Sequence, residues 1–189
     1  MISNLFLSIF ALYFYFQHRT NNKKWSLFFL FMGLSAFVGG IYHGFPDVGE
    51  QVRFFSWSLF SGSLIFAQLA AYQYTNNLFL KLIFISKSIL FLIISIQTAN
   101  FSFMVLDTAI SMLGFIVVGN SIYLKSLSKY ITYGILISFA SAFFVIYKIS
   151  FSDQYLNYND IGHYISIISL IVMSKGIRLD SISHLLKKV

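Results

Sequence analysis

The chain has 189 residues, of which 58% are hydrophobic, 20% aromatic and only 10% charged, and its mean hydropathy is +0.77. Soluble domains carry roughly a quarter charged residues and under half apolar ones, so a water-soluble globule and a disordered chain are both excluded. The net charge of +7 does not point to nucleic acid, because the basic residues form no aromatic-interleaved patch and no recognisable nucleic-acid motif.

Seven apolar runs follow one another at about 2–17, 25–45, 54–74, 78–98, 101–124, 130–150 and 160–178. A helix needs roughly 20 residues to cross the hydrocarbon core. In lipid the backbone must satisfy its own hydrogen bonds, so such runs predict helices, and the alternation of barrel strands is absent. The first run begins at Ile2 with no basic stretch before it, and reads as a retained span rather than a signal peptide. Runs four and five are parted only by Thr98, Ala99 and Asn100, which leaves a six-span count as the alternative. No linker or soluble insertion is long enough for a second domain, so residues 1–189 form one all-α bundle.

The basic residues orient it. Arg19, Lys23, Lys24, Lys81, Lys125, Lys129, Lys175, Arg178, Lys187 and Lys188 fall on one side of a seven-span arrangement, against Arg53 and Lys148 on the other. The positive-inside rule then puts the N-terminus outside and the C-terminus in the cytoplasm. The A/T-rich residue usage places the chain in a bacterial inner (plasma) membrane. No Cys is present, which removes disulfides, thiolate metal sites and Cys nucleophiles.

Ionisable groups within a membrane face the bundle interior or water and carry function by default. His43, at the outer end of the second span, and His163, just inside the outer end of the seventh, share a depth with Asp47, Glu50, Asp153 and Asp160. Asn159, His163 and Ser166 recur at helical spacing, on one face. Gly33, Ala36, Gly40 and Gly44 form a small-residue stripe for close backbone approach, and the glycines beside His43 leave room for a ligand. Blander roles compete: Asn159 or Asp160 as a helix cap, and Pro46, Asp47 and Gly49 as a turn. His18 and His184 read as solvated. Lys87, near the middle of the fourth span, and Asp107, in the fifth, lie close enough in depth to form a structural ion pair; a proton relay is the sharper alternative.

A His ending the second span and an Asn159-Asp160-x-x-His163 start to the last resemble the seven-helix superfamily of alkaline ceramidases and progestin and adipoQ receptors, and its small bacterial relatives. In that superfamily one His from helix two and a His-x-x-x-His pair on helix seven hold zinc. The resemblance implies that His43 and His163 are ligands. Asn159 stands where the second His of the pair would be, Ile167 is four residues beyond, and Gly39 replaces a Ser. A catalytic zinc takes three protein ligands and a water, so Asp160 or Asp47 would complete the site and the other carboxylate would act as general base. The expected activity is zinc-dependent hydrolysis of a lipid amide or ester, with membrane lipids as surroundings and substrate. The alternatives are a non-catalytic receptor-like or scaffold protein and, behind it, a small transporter using Lys87 and Asp107.

Overall fold

The computed structural model describes residues 2–45, 47–124, 128–152 and 156–186, with side chains placed except at 123–124, 145–146 and 182–186. Pro46, Lys125, Asp153, Lys187, Lys188 and the side chain of His184 therefore lie outside the described residues. The helices are α1 (Ile2–His18), α2 (Lys23–Gly44), α3 (Glu50–Ala71), α4 (Leu78–Thr98), α5 (Ser102–Thr108), α6 (Lys129–Ile146) and α7 (Tyr158–Leu186). α5 continues as a π-helix over Ala109–Leu124.

Local chemistry sets several of the ends. The Asn77 side chain caps α4 by accepting from Leu80 N at 3.0 Å. α4 stops at Ala99, whose φ of 50° is left-handed, and Asn100 N donates back to Ser95 O at 3.0 Å. That pattern satisfies a terminal carbonyl and turns the chain, so runs four and five are two helices. α3 starts four residues earlier than the hydropathy placed it, because Glu50 and Gln51 form a polar first turn at the positive end of the helix dipole. α7 runs past residue 178 on polar residues, including Asp180.

α1 packs between α2 and α7, α2 on α3, and the π-wound segment on α3 and α6. α6 lies along α7, which closes the bundle, and α4 packs outside it on α3 and α5. Large apolar side chains cover the outer surface as well as the core, and polar ones are enclosed within the bundle. Phe79 is 71% exposed and Leu78 68%, while Ser63, Gln68, Ser88, Asp107 and Ser111 are fully enclosed. Five helical stretches, Lys23–Gly44, Glu50–Ala71, Leu78–Thr98, Ser102–Ile122 and Tyr158–Ser181, are long and apolar enough to cross a membrane. With apolar side chains outside and polar ones inside, the chain is a helical membrane protein.

The buried and partly buried hydroxyls are satisfied in two ways. Ser58, Ser95 and Ser166 bond the carbonyl one turn back in their own helix. Others join helices: Ser35 Oγ donates to Ser56 O at 2.9 Å and Ser56 Oγ to Ser35 O at 3.0 Å. Small residues allow this approach. A Cβ on Gly33 would sit 3.3 Å from Ala11 Cβ, so that part of the α2 stripe meets α1. The tightest crossing is α6 on α7, where a Cβ on Gly134 would lie 2.9 Å from Ser169 O and one on Gly176 2.9 Å from Ile131 N.

These contacts reverse an ordinary preference. Ala is favoured over Gly inside a helix by about 1 kcal/mol, yet Gly176→Ala must push two backbones apart. Overpacking of this kind costs roughly 1–3 kcal/mol, so Gly176→Ala is expected to melt below the parent chain in detergent. A higher melting temperature would show that α6 and α7 do not cross this closely.

Candidate functional site

At the end of the bundle where α1 and α7 begin and α2 finishes, polar side chains from three helices converge. Ser3 lies in the first turn of α1, and its Oγ sits 2.5 Å from Asp160 Oδ1 and 2.9 Å from His163 Nδ1. Asp160 and His163, three residues apart on α7, face α1 together. The His43 ring at the end of α2 is within electrostatic range of His163 and stacks edge-on against Tyr42, centroids 5.4 Å apart. Ser3 is buried, Asp160 and His163 are partly buried, and His43 is exposed.

Local structure explains the posture of Asp160. Asn157 is the N-cap of α7, accepting from Asn159 N at 2.9 Å and Asp160 N at 3.1 Å. Asp160 Oδ2 in turn accepts from Asn157 N at 3.4 Å. This reciprocal capping box holds one carboxylate oxygen at the helix start and leaves the other for Ser3. Asn157, not Asn159, is thus the capping residue, and Asn159 is exposed and outside the cluster.

For a neutral His163 ring, counting protons gives one network. With Asp160 as a carboxylate it only accepts, so the single Ser3 hydroxyl proton goes to Asp160 Oδ1. The Ser3 oxygen must then receive its second bond from a proton on His163 Nδ1. That tautomer leaves the lone pair on His163 Nε2.

Among the described residues no three His, Cys, Asp or Glu side chains are grouped to hold a metal. Asp160 is committed to Ser3 and to the cap, and Asp47, in the α2–α3 turn, is exposed and bonded to none of the cluster. His43 and His163 supply only two nitrogen donors, one short of a catalytic zinc site. Nor does Gly39 leave room for a ligand: its missing side chain faces Ser56 Oγ at 3.3 Å and Asn4 Oδ1 at 3.8 Å.

The chain belongs to the family of unknown function DUF6962, whose model matches residues 1–181. No curated protein and no solved structure matches it. The family match takes in α1 to α6, α7 as far as residue 181, and all of the residues of the cluster.

Two further polar groups lie elsewhere in this family member. Lys87 Nζ is paired with Asp107 Oδ1, and it donates to Ser111 Oγ at 2.7 Å and Ser88 Oγ at 3.2 Å. Ser88 and Ser111 also reach Asp107 Oδ1, at 3.4 and 3.2 Å, while Asp107 Oδ2 is buried without a partner. At the opposite end from His43, His18 is buried, not solvated as its sequence position implied. Its Nε2 lies 2.7 Å from Ser174 Oγ, and its ring stacks on Phe29 at 5.7 Å. Ser174 Oγ also donates to Gln17 Oε1 at 3.3 Å, a second polar link between α1 and α7 at this end.

Sequence reasoning missed Ser3 and Asn157. Ser3 carries no distinguishing signal, since a serine in a membrane helix can bond its own backbone. Asn157-x-x-Asp160 is readable as a capping box.

Removing one partner of a buried ion pair strands the other charge, at a cost of about 3–5 kcal/mol. Lys87→Met is therefore expected to destabilise the bundle strongly in a detergent melt, and Lys87→Met with Asp107→Leu to recover most of the loss. A single variant as stable as the parent would disprove the pairing.

Proposed function

We propose that the chain is a seven-span hydrolase of lipid amides or esters, with its site at the outer end of α1, α2 and α7. The observation that carries this reading is the hydrogen-bonded path from Asp160 through Ser3 to His163, at the end of the bundle where α2 finishes with His43. The path holds His163 in the tautomer of a general base and offsets the charge it gains on protonation. In the proposed reaction His163 Nε2 takes a proton from water as the water oxygen attacks the substrate carbonyl carbon. A His43 N–H donates to the carbonyl oxygen as it becomes negative. The tetrahedral intermediate collapses, the carbon–nitrogen or carbon–oxygen bond breaks, and His163 returns the proton to the leaving amine or alcohol. No step of this proposal passes through a metal, since among the described residues no third donor is grouped with His43 and His163. Exposed His43 would meet a substrate arriving from the interface.

The test is hydrolysis of a panel of N-acyl and O-acyl lipids by purified protein in detergent. His163→Ala is expected to lower kcat by about 10²-fold or more, Ser3→Ala less, and a chelator to have no effect. Activity lost on chelation and restored by zinc would return the metal reading, and unchanged turnover in His163→Ala would overturn the site.

One observation favours the non-catalytic receptor-like reading: both oxygens of Asp160 already have partners within the fold. Ligand binding that needs His43 and His163, with no turnover of any acyl lipid, would select it.

The seven-span arrangement itself is supported by α1, whose 17 residues reach the lower limit of about 17 for a crossing. Ser3–Asp160 and His18–Ser174 contacts show that α1 and α7 run parallel, as the first and last of seven alternating spans must. The cysteine-free sequence makes this testable. Gly49→Cys is expected to react with an impermeant maleimide on intact cells, and Asn76→Cys only after permeabilisation. The reverse labelling would invert the orientation.

A further inference from the structure

Beside the cluster, and unused by the mechanism, Arg53 lies in the first turn of α3. Three rings surround its guanidinium: Trp57 at 5.0 Å, Phe54 at 5.1 Å and Tyr42 at 5.8 Å from the Cζ atom. It is ion-paired with Glu50, and the Tyr42 hydroxyl donates to the other oxygen of that carboxylate at 3.1 Å. The Arg53 Nε–H is buried and has no partner. Tyr42 connects this cage to the candidate site, since its ring also contacts the ring of His43.

We infer that Arg53 is the headgroup subsite of the proposed hydrolase, and that the substrate is an amphiphile with an anionic oxygen headgroup, a phosphate or a carboxylate. This assignment rests on the hydrolase reading for the word substrate, but not for the binding itself. The Glu50 carboxylate shows the chemistry the site accepts: a planar oxyanion held between a guanidinium and a phenol. Its side chain is 55% exposed, so it can swing into water when a ligand oxyanion takes its position. A ligand with a further oxygen can also meet the unpartnered Nε–H, which Glu50 leaves unbonded. Arg binds such groups through several N–H donors at once, and a buried donor without a partner costs free energy that a ligand recovers. The aromatic rings shield part of the guanidinium from water and accept its charge on their faces. An anionic head fixed here, with its chain in the lipid, places an acyl carbonyl at the depth of His43.

Trp57 reports on the cage directly. In a Trp25→Phe chain that also carries His163→Ala to prevent turnover, Trp57 fluorescence is titrated with three probes in detergent: dihexanoyl phosphatidate, dihexanoylglycerol and inorganic phosphate. The expected result is a saturable change with phosphatidate, at least tenfold weaker with dihexanoylglycerol and with inorganic phosphate. Arg53→Gln should weaken phosphatidate at least tenfold and Arg53→Lys less. Glu50→Gln, at an exposed position, should tighten it several-fold by removing the competing carboxylate. Equal affinity for phosphatidate and dihexanoylglycerol, or no effect of Glu50→Gln, would overturn the subsite. Inorganic phosphate as tight as phosphatidate would overturn the lipid assignment. Saturable phosphatidate binding to a parent chain that hydrolyses no acyl lipid would uphold the subsite and reject the hydrolase.

Discussion

The Ser3 hydroxyl is the small group on which both the closure of the bundle and the candidate site depend. It meets Asp160 and His163 from 157 and 160 residues away in the chain, and so joins the first helix to the last. Ser3 is buried, and its hydroxyl finds both of its partners on α7 rather than in water. The same bridge sets the His163 tautomer. A structural requirement and a chemical posture thus follow from one hydrogen-bonded path.

The second α1–α7 contact, His18 with Ser174, repeats the arrangement at the other end. Two Ser–His pairs, about four turns apart on α1 and about three on α7, hold α1 in register along α7. Between them α1 buries small and medium apolar residues such as Leu7 and Ala11. Apolar packing alone specifies lateral position weakly when lipid tails are as apolar as the helices. Polar pairs at both ends therefore carry the specificity of this interface. Lys87 and Asp107 do the same for α4, the most peripheral helix, by tying it to α5 in the interior.

Three polar centres result, with different degrees of internal satisfaction. Ser3, Asp160 and the α7 cap leave the His163 Nε2 lone pair and exposed His43 free to act on something outside the protein. The Lys87–Asp107 pair is enclosed by serines and suits a structural role, with one carboxylate oxygen unbonded. Arg53 lies between these extremes, paired to a carboxylate that water can reclaim. The two centres at the His43 end share Tyr42, which makes that end the chemically capable part of the molecule.

Hydropathy and charge spacing made much of the architecture legible. They located the helices to within a few residues at most ends, the break at Thr98–Asn100, and the depth match of Lys87 with Asp107. These are local properties: the rise per residue and the cost of burying a polar backbone act along the chain. What the tertiary structure alone decided is which faces meet. It brought Ser3 to His163, buried His18 against Ser174, assigned the α7 cap to Asn157, and left Asp47 and Asn159 exposed. Helix neighbours in lipid are selected by close backbone approach and by polar partners distant in sequence, and neither leaves a periodic signal in the residues of one helix.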